Sequence, residues 1–150
     1  MRCEVDAAAL EAAFRATIYR AELPEGRFDL RIGVLDSAFD DCLRARGVGK
    51  WGIVTACNPG AVRLSNDENR LREAGLRERL QGAGWQFFAA VNLDATGTWP
   101  PEPGCLVLQV DEAQLRALAG EFSQCALVFG DTGAAPRLLW LGGGRAVGVT

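Results

Sequence analysis

Trp51-Gly52-Ile53-Val54-Thr55-Ala56-Cys57-Asn58-Pro59-Gly60, followed by Ser65-Asn66-Asp67-Glu68, is the stretch that decides the fold. Trp51 to Ala56 is mostly apolar and bounded by breakers, as expected of a buried central strand. Cys57 to Gly60 reads as a turn. Ser65 with Glu68 three residues later is a capping box. It heads a strong helix that runs to about Ala83, with Gly84 as its stop.

Working outward, Asp6 caps a first helix with Leu10, Ala13, Phe14 and Thr17 at helical spacing. Ile18 to Leu23 reads as a strand, Pro24-Glu25-Gly26 as a turn, and Phe28 to Val34 as an alternating strand that forms a hairpin with the first. Asp36 caps a short helix that turns Phe39, Cys42 and Leu43 inward. Beyond the long helix, Trp85 to Val91 is a strand. Residues 92 to 103 form an extended loop ending Trp99-Pro100-Pro101-Glu102-Pro103. Cys105 to Val110 is a strand, Asp111 and Gln114 open a helix, and Cys125 to Phe129 and Arg137 to Leu141 are the last strands. Helix-containing connections suit parallel neighbours and short ones suit hairpins. The expectation is an α/β (α+β) single domain over residues 1–150, a mixed β-sheet packed by about four helices, with 142–150 a loose C-terminal tail. Gly142-Gly143-Gly144-Arg145 lacks the Gly-Lys-Ser/Thr of a phosphate loop and is assigned to that tail.

Composition removes several functional classes. The chain has 150 residues and no histidine. Ser-His-Asp and Cys-His units, an imidazole base and His-ligated zinc are therefore absent. The net charge of −3 lacks the basic surplus of a duplex binder, so no nucleic-acid partner is expected. The cysteines Cys3, Cys42, Cys57, Cys105 and Cys125 are odd in number and form no C-x-x-C pair. They read as small thiols in a reducing cytoplasm, with no metal and no cofactor implied. The acidic N-terminal stretch is no signal peptide, and no apolar run is long enough to cross a bilayer.

Thr55-Ala56-Cys57-Asn58-Pro59, then Ser65 and Glu68-Asn69, then Glu102-Pro103 after Trp99, and Phe122-Ser123-Gln124-Cys125-Ala126 together resemble the bacterial family called domain of unknown function 3293. Thr17-Ile18-Tyr19 matches its early Thr-x-Tyr. The resemblance implies a small cytoplasmic bacterial protein and no particular reaction. The family often carries Trp where this chain has Cys57, so a thiol is not required there and Cys57 is a poor nucleophile.

The helix after Ser65 places Asn69 in the sector of Leu76, Leu80 and Ala83, with Arg72 beside it. Its inward stripe is thus apolar late and polar early. Thr55 and Asn58 lie where the preceding strand ends, an edge that ligands of α/β sheets favour. Two readings follow. In one, Thr55, Asn58, Asn69, Arg72, Glu102 and Gln124 line a site for a small polar or anionic molecule. Arg72 then acts as anion clamp, and Glu102, on its proline-stiffened loop, pairs with Arg72 or serves as acid/base. In the other, Asn69 and Arg72 bind backbone carbonyls of the Asn58-Pro59 loop, Gln124 satisfies a helix end, and the domain serves a protein partner. Arg70, Glu73, Arg77 and Glu78 read as a solvated face.

Overall fold

The computed structural model describes residues 6–97 and 99–141. The expected tail at 142–150, with its glycine run, lies outside them, as does Cys3. The elements are α1 (Ala7–Ala16), β1 (Ile18–Leu23), β2 (Gly26–Leu30), α2 (Ser37–Ala45), β3 (Lys50–Val54), α3 (Asn66–Ala83), β4 (Phe87–Leu93), β5 (Glu102–Leu108), α4 (Glu112–Glu121), β6 (Ala126–Asp131) and β7 (Arg137–Trp140). Local chemistry sets most ends. Asp6 and Asp36 accept from Ala8 and Phe39 backbone N–H groups. Ser65/Glu68 and Asp111/Gln114 are both reciprocal capping boxes. Gly84 closes α3 in the left-handed conformation at φ 75°.

The strands form one sheet in the order β2-β1-β4-β5-β3-β6-β7. The fold class is as expected, but no adjacent pair is parallel: every named pairing is antiparallel. The helical crossovers do join parallel strands, β3 to β4 through α3 and β5 to β6 through α4. In each case an antiparallel strand lies between the two: β5 between β3 and β4, and β3 between β5 and β6. The segment β3–α3–β4–β5–α4–β6 thus has the connectivity of a split βαβ, ferredoxin-like unit. The β1–β2 hairpin extends it at one edge and β7 at the other.

Both sheet faces are covered. One carries Tyr19, Leu30, Trp51 and Ile53 under Phe39 and Leu43 of α2, with Phe14 of α1 packed against them. The other carries Val54, Cys105, Val107 and Phe129 against Leu76 and Leu80 of α3 and Leu115 and Leu118 of α4. Among the described residues Cys42, Cys57 and Cys105 are free thiols. Cys125 is disulfide-bonded, which departs from the reading of every cysteine as a thiol.

One boundary matters for the site. The proline-rich stretch does not end as a loop: β5 begins at Glu102, and Glu102 and Pro103 pair with Asn92 and Val91 of a β4 that runs to Leu93. β3 has stopped at Val54 opposite Cys105, so here β5 has only β4 beside it. An edge position tolerates the N–H that proline lacks. Thr55 replaces the missing ladder by donating its Oγ1 hydroxyl to Pro103 O at 2.8 Å. Gly104 permits this close approach, since a Cβ there would stand 2.6 Å from Val54 O and 3.3 Å from Thr55 Cβ. Gly104→Ala is therefore expected to cost about 2 kcal/mol, as overpacking against backbone does. Urea denaturation gives the value, and an unchanged midpoint would show that the strands separate freely at this point.

Candidate functional site

Asn58 is the hub of the site. It is 5 % exposed and sits at φ 49°, ψ 62°, the left-handed region that asparagine tolerates better than most residues. That conformation turns the chain out of β3 and lets both ends of the amide find partners. Its Oδ1 accepts from Leu64 N at 2.8 Å and from Asn69 Nδ2 at 2.9 Å. Its backbone N–H donates to Asn69 Oδ1 at 2.9 Å, and its Nδ2 donates to Glu102 Oε2. Asn58 and Asn69 thus hold each other reciprocally, and Glu102 takes the remaining donor.

Arg72 is held by backbone carbonyls, and no ion pair joins it to Glu102 among the described residues. Its Nε donates to Ala56 O at 2.6 Å and its Nη2 to Phe122 O at 2.5 Å. Gln124 donates from Nε2 to Cys57 O at 3.1 Å and Phe122 O at 3.3 Å. Gly60 N adds a bond to Ser123 O at 2.7 Å. These contacts bind the turn after β3 to the turn after α4. The bracing reading describes the bonds of Arg72 and Gln124, whereas Asn69 holds the same loop through the Asn58 backbone N–H and side-chain amide and not through a carbonyl.

The six candidates come together nonetheless, and they adjoin empty space. A cavity of about 130 Å³ lies between α1 and the ends of β4 and β5. Thr55, Asn58, Glu102 and Gln124 line it, and Asn69 and Arg72 do not. A second, of about 240 Å³, opens at the start of α3, where Asn69, Arg70 and Glu73 face Pro101 and Pro103. Cys57, Asn58, Pro100 and Glu102 belong to both linings, so Glu102 stands in the wall between them.

Four contributors do not stand out as site residues in the sequence. Asn92, opposite Glu102 on β4 and opposite Tyr19 on β1, lines the first cavity and has a buried Oδ1 with no partner. It continues the inward positions of Phe88 and Ala90, and ending the strand at Val91 hid it. Glu73 is buried at 9 % exposure, which corrects its assignment to a solvated face. Its Oε1 accepts from Arg77 Nε at 2.9 Å, while its Oε2 is buried without a partner. Four residues after Asn69 and three before Leu76, Glu73 was on the inward stripe all along, whereas Ala83 is exposed. Trp99 and Phe14 supply aromatic walls.

Burial sets the electrostatics. It raises the Glu102 carboxyl above the usual range, and the Asn58 hydrogen bond only partly offsets this. Burial also raises Glu73 against the pull of Arg77. The Cys57 thiol is pushed up by burial and by the nearby carboxylates, and its Sγ contacts Pro103 O at 3.6 Å, so it is a packed thiol and not a poised nucleophile. Among the described residues no group of His, Cys, Asp and Glu side chains is arranged to hold a metal, and no helix is long and apolar enough to cross a membrane.

No curated protein and no solved structure matches the chain. Residues 54–127 match the family described as a protein of unknown function, DUF3293. That span runs from the last residue of β3 into β6, and so takes in most of the interleaved unit and all six candidate residues, with Glu73, Asn92 and Trp99. The chain belongs to the domain of unknown function 3293 family.

Proposed function

We propose that this protein binds a small polar molecule at Glu102, in the cavity beneath α1, and that the molecule donates hydrogen bonds. One observation carries the reading. Among the described residues the buried side-chain oxygens without a partner are Asn92 Oδ1 and Glu73 Oε2, and each belongs to a cavity lined by Glu102. A buried acceptor without a donor costs about 1–3 kcal/mol, so a folded domain that keeps two beside open space has a use for them. The expected anionic ligand has less support, because Arg72 is engaged by carbonyls and no Arg or Lys among the described residues lines the first cavity. A protein partner is the other proposal. It rests on exposed Val34, Leu35, Val62 and Leu71, which are spread over three segments and need no special explanation singly. A bacterial, cytoplasmic setting is part of the proposal and comes from the family resemblance.

Asn92→Leu tests the reading. Replacing the lone acceptor by an apolar group of similar size is expected to raise stability by about 1–2 kcal/mol, read from urea denaturation. The same variant is expected to lose the ligand response of the wild type, read as movement of the Gln124 and Asn58 side-chain amide NMR signals on titration with small amides and amines. If the wild-type signals move with none of these compounds, the cavity is a packing void and the proposal fails.

A further inference from the structure

We infer that the cavity beneath α1 takes a small planar organic cation, an amidinium or guanidinium group, with its N–H edge on Glu102 and Asn92 and its face against Phe14 and Trp99. This rests on the binding site proposed above and adds the charge and shape of what it accepts.

The lining chooses the charge. Glu102 and Asp94 are its carboxylates, and no Arg or Lys among the described residues is in the lining to neutralise them. The Asp94 carboxylate is occupied by the Thr96 hydroxyl at 2.9 Å and the Trp99 backbone N–H at 2.9 Å, so it shapes the loop and adds negative potential. Glu102 gives one oxygen, Oε2, to Asn58, and its Oε1 receives no donor from the described residues. Asn92 Oδ1, buried and without a partner, is the other unused acceptor. An anion would meet two carboxylates and only neutral amide and hydroxyl donors.

The shape follows from register. Asn92 and Glu102 are directly paired across β4 and β5, which sets their Cβ atoms about 4.5–5.5 Å apart. Two acceptors at that separation suit the two parallel N–H groups of a planar fork better than the point charge of an ammonium. Phe14 and Trp99 add aromatic rings to the lining, and rings of this kind attract cations, as Arg63 over Trp99 at 5.8 Å shows. The volume, about 130 Å³, is close to the roughly 150 Å³ that admits a benzene ring, so the ligand is a single ring or a short chain.

Charge also predicts a pH dependence. A cation needs Glu102 ionised, and burial keeps Glu102 protonated to higher pH than an ordinary carboxyl. Affinity therefore rises with pH through that range and then levels. The other groups facing Glu102 are the Tyr19 hydroxyl from β1, Asp94 beyond β4, the Cys57 thiol beyond β3, and Glu73 and Arg70 from α3. Tyr19 and Cys57 are both raised above their ordinary values and stay neutral there. Glu73 is raised as well, so Glu73→Gln is the control that must keep the dependence.

The experiment uses three ring compounds of one size and three charges: benzamidinium, benzamide and benzoate. Each is titrated into the full chain while the Asn58 and Gln124 side-chain amides, which line the cavity, are followed by NMR at pH 5 and pH 7. Benzamidinium is expected to bind at least tenfold more tightly than benzamide, and more tightly at pH 7 than at pH 5, with benzoate not binding. Glu102→Gln is expected to weaken benzamidinium roughly tenfold or more, the usual effect of losing a charged hydrogen-bond partner. Asn92→Asp is expected to strengthen it several-fold, which no folding defect could imitate. Benzamide binding as tightly as benzamidinium, or Asn92→Asp failing to strengthen the cation, would overturn the charge assignment and leave the binding site standing. If none of the three moves these amide signals, the site and its charge preference fall together.

Discussion

Asn58→Ala is expected to lower stability by about 4 kcal/mol, the largest effect of any single substitution around the site. The truncation removes the acceptor for Leu64 N and Asn69 Nδ2 and the donor to Glu102, and leaves those partly buried groups without partners. Each such loss costs roughly 1–3 kcal/mol where water cannot enter, and the adjacent cavities will soften part of it. Alanine must also hold φ 49°, which adds about 1 kcal/mol. For a chain of this length the total corresponds to a fall of roughly 10 °C in Tm. Asn58→Gly separates the two contributions, because glycine adopts the same φ without strain yet makes none of the side-chain bonds. It should recover about 1 kcal/mol of the loss. Equal stability of the alanine and glycine variants would show that the left-handed turn relaxes once the amide is gone.

Arg72→Ala is expected to cost about 3 kcal/mol. The guanidinium joins Ala56 O and Phe122 O, two carbonyls from turns far apart in the chain, and charge-assisted bonds of this kind contribute about 1.5–3 kcal/mol each before water replaces them. Arg72→Lys should restore less than half, since a single ammonium cannot reach both acceptors with the geometry of a fork. Chemical denaturation gives both values. Phosphate or sulfate should leave the Tm of the wild type unchanged. A phosphate-dependent rise abolished by Arg72→Ala would return Arg72 to the role of anion clamp that its place on the helix suggests.

Why one part of this protein is legible in sequence and another is not follows from the range of the forces. Elements set by neighbours along the chain read correctly: the capping boxes at Ser65/Glu68 and Asp111/Gln114, the glycine stop at Gly84 and the hairpin across Pro24-Glu25-Gly26. The strand order does not, because nothing local tells β5 to enter between β3 and β4. Thr55, Asn58, Glu102 and Gln124 read in sequence as polar residues at element ends, and the four line one cavity. Whether Arg72 meets a ligand or a carbonyl depends on where the turn after α4 lands, fifty positions on. Glu102 reads as a loop residue because prolines surround it. Strand pairing with β4 outweighs that local signal where β5 has no neighbour on its other side. Glu73 and Asn92 are hard to read for a simpler reason: a polar side chain on an inward periodic position looks like a solvated residue or a strand end.

The insertion of β5 has a consequence for how the protein is made. Synthesis delivers β3, α3 and β4 before the strand that must lie between the first and the last of them. Until residue 108 has left the ribosome, two apolar strands wait with open backbone edges, the condition in which nascent chains mispair or aggregate. Asn58 and Asn92 are likewise kept apart until Glu102 arrives to bridge them. The acceptor cluster is thus a late product of folding, and a chain interrupted before β5 would carry every helix signal of α3 and none of the chemistry.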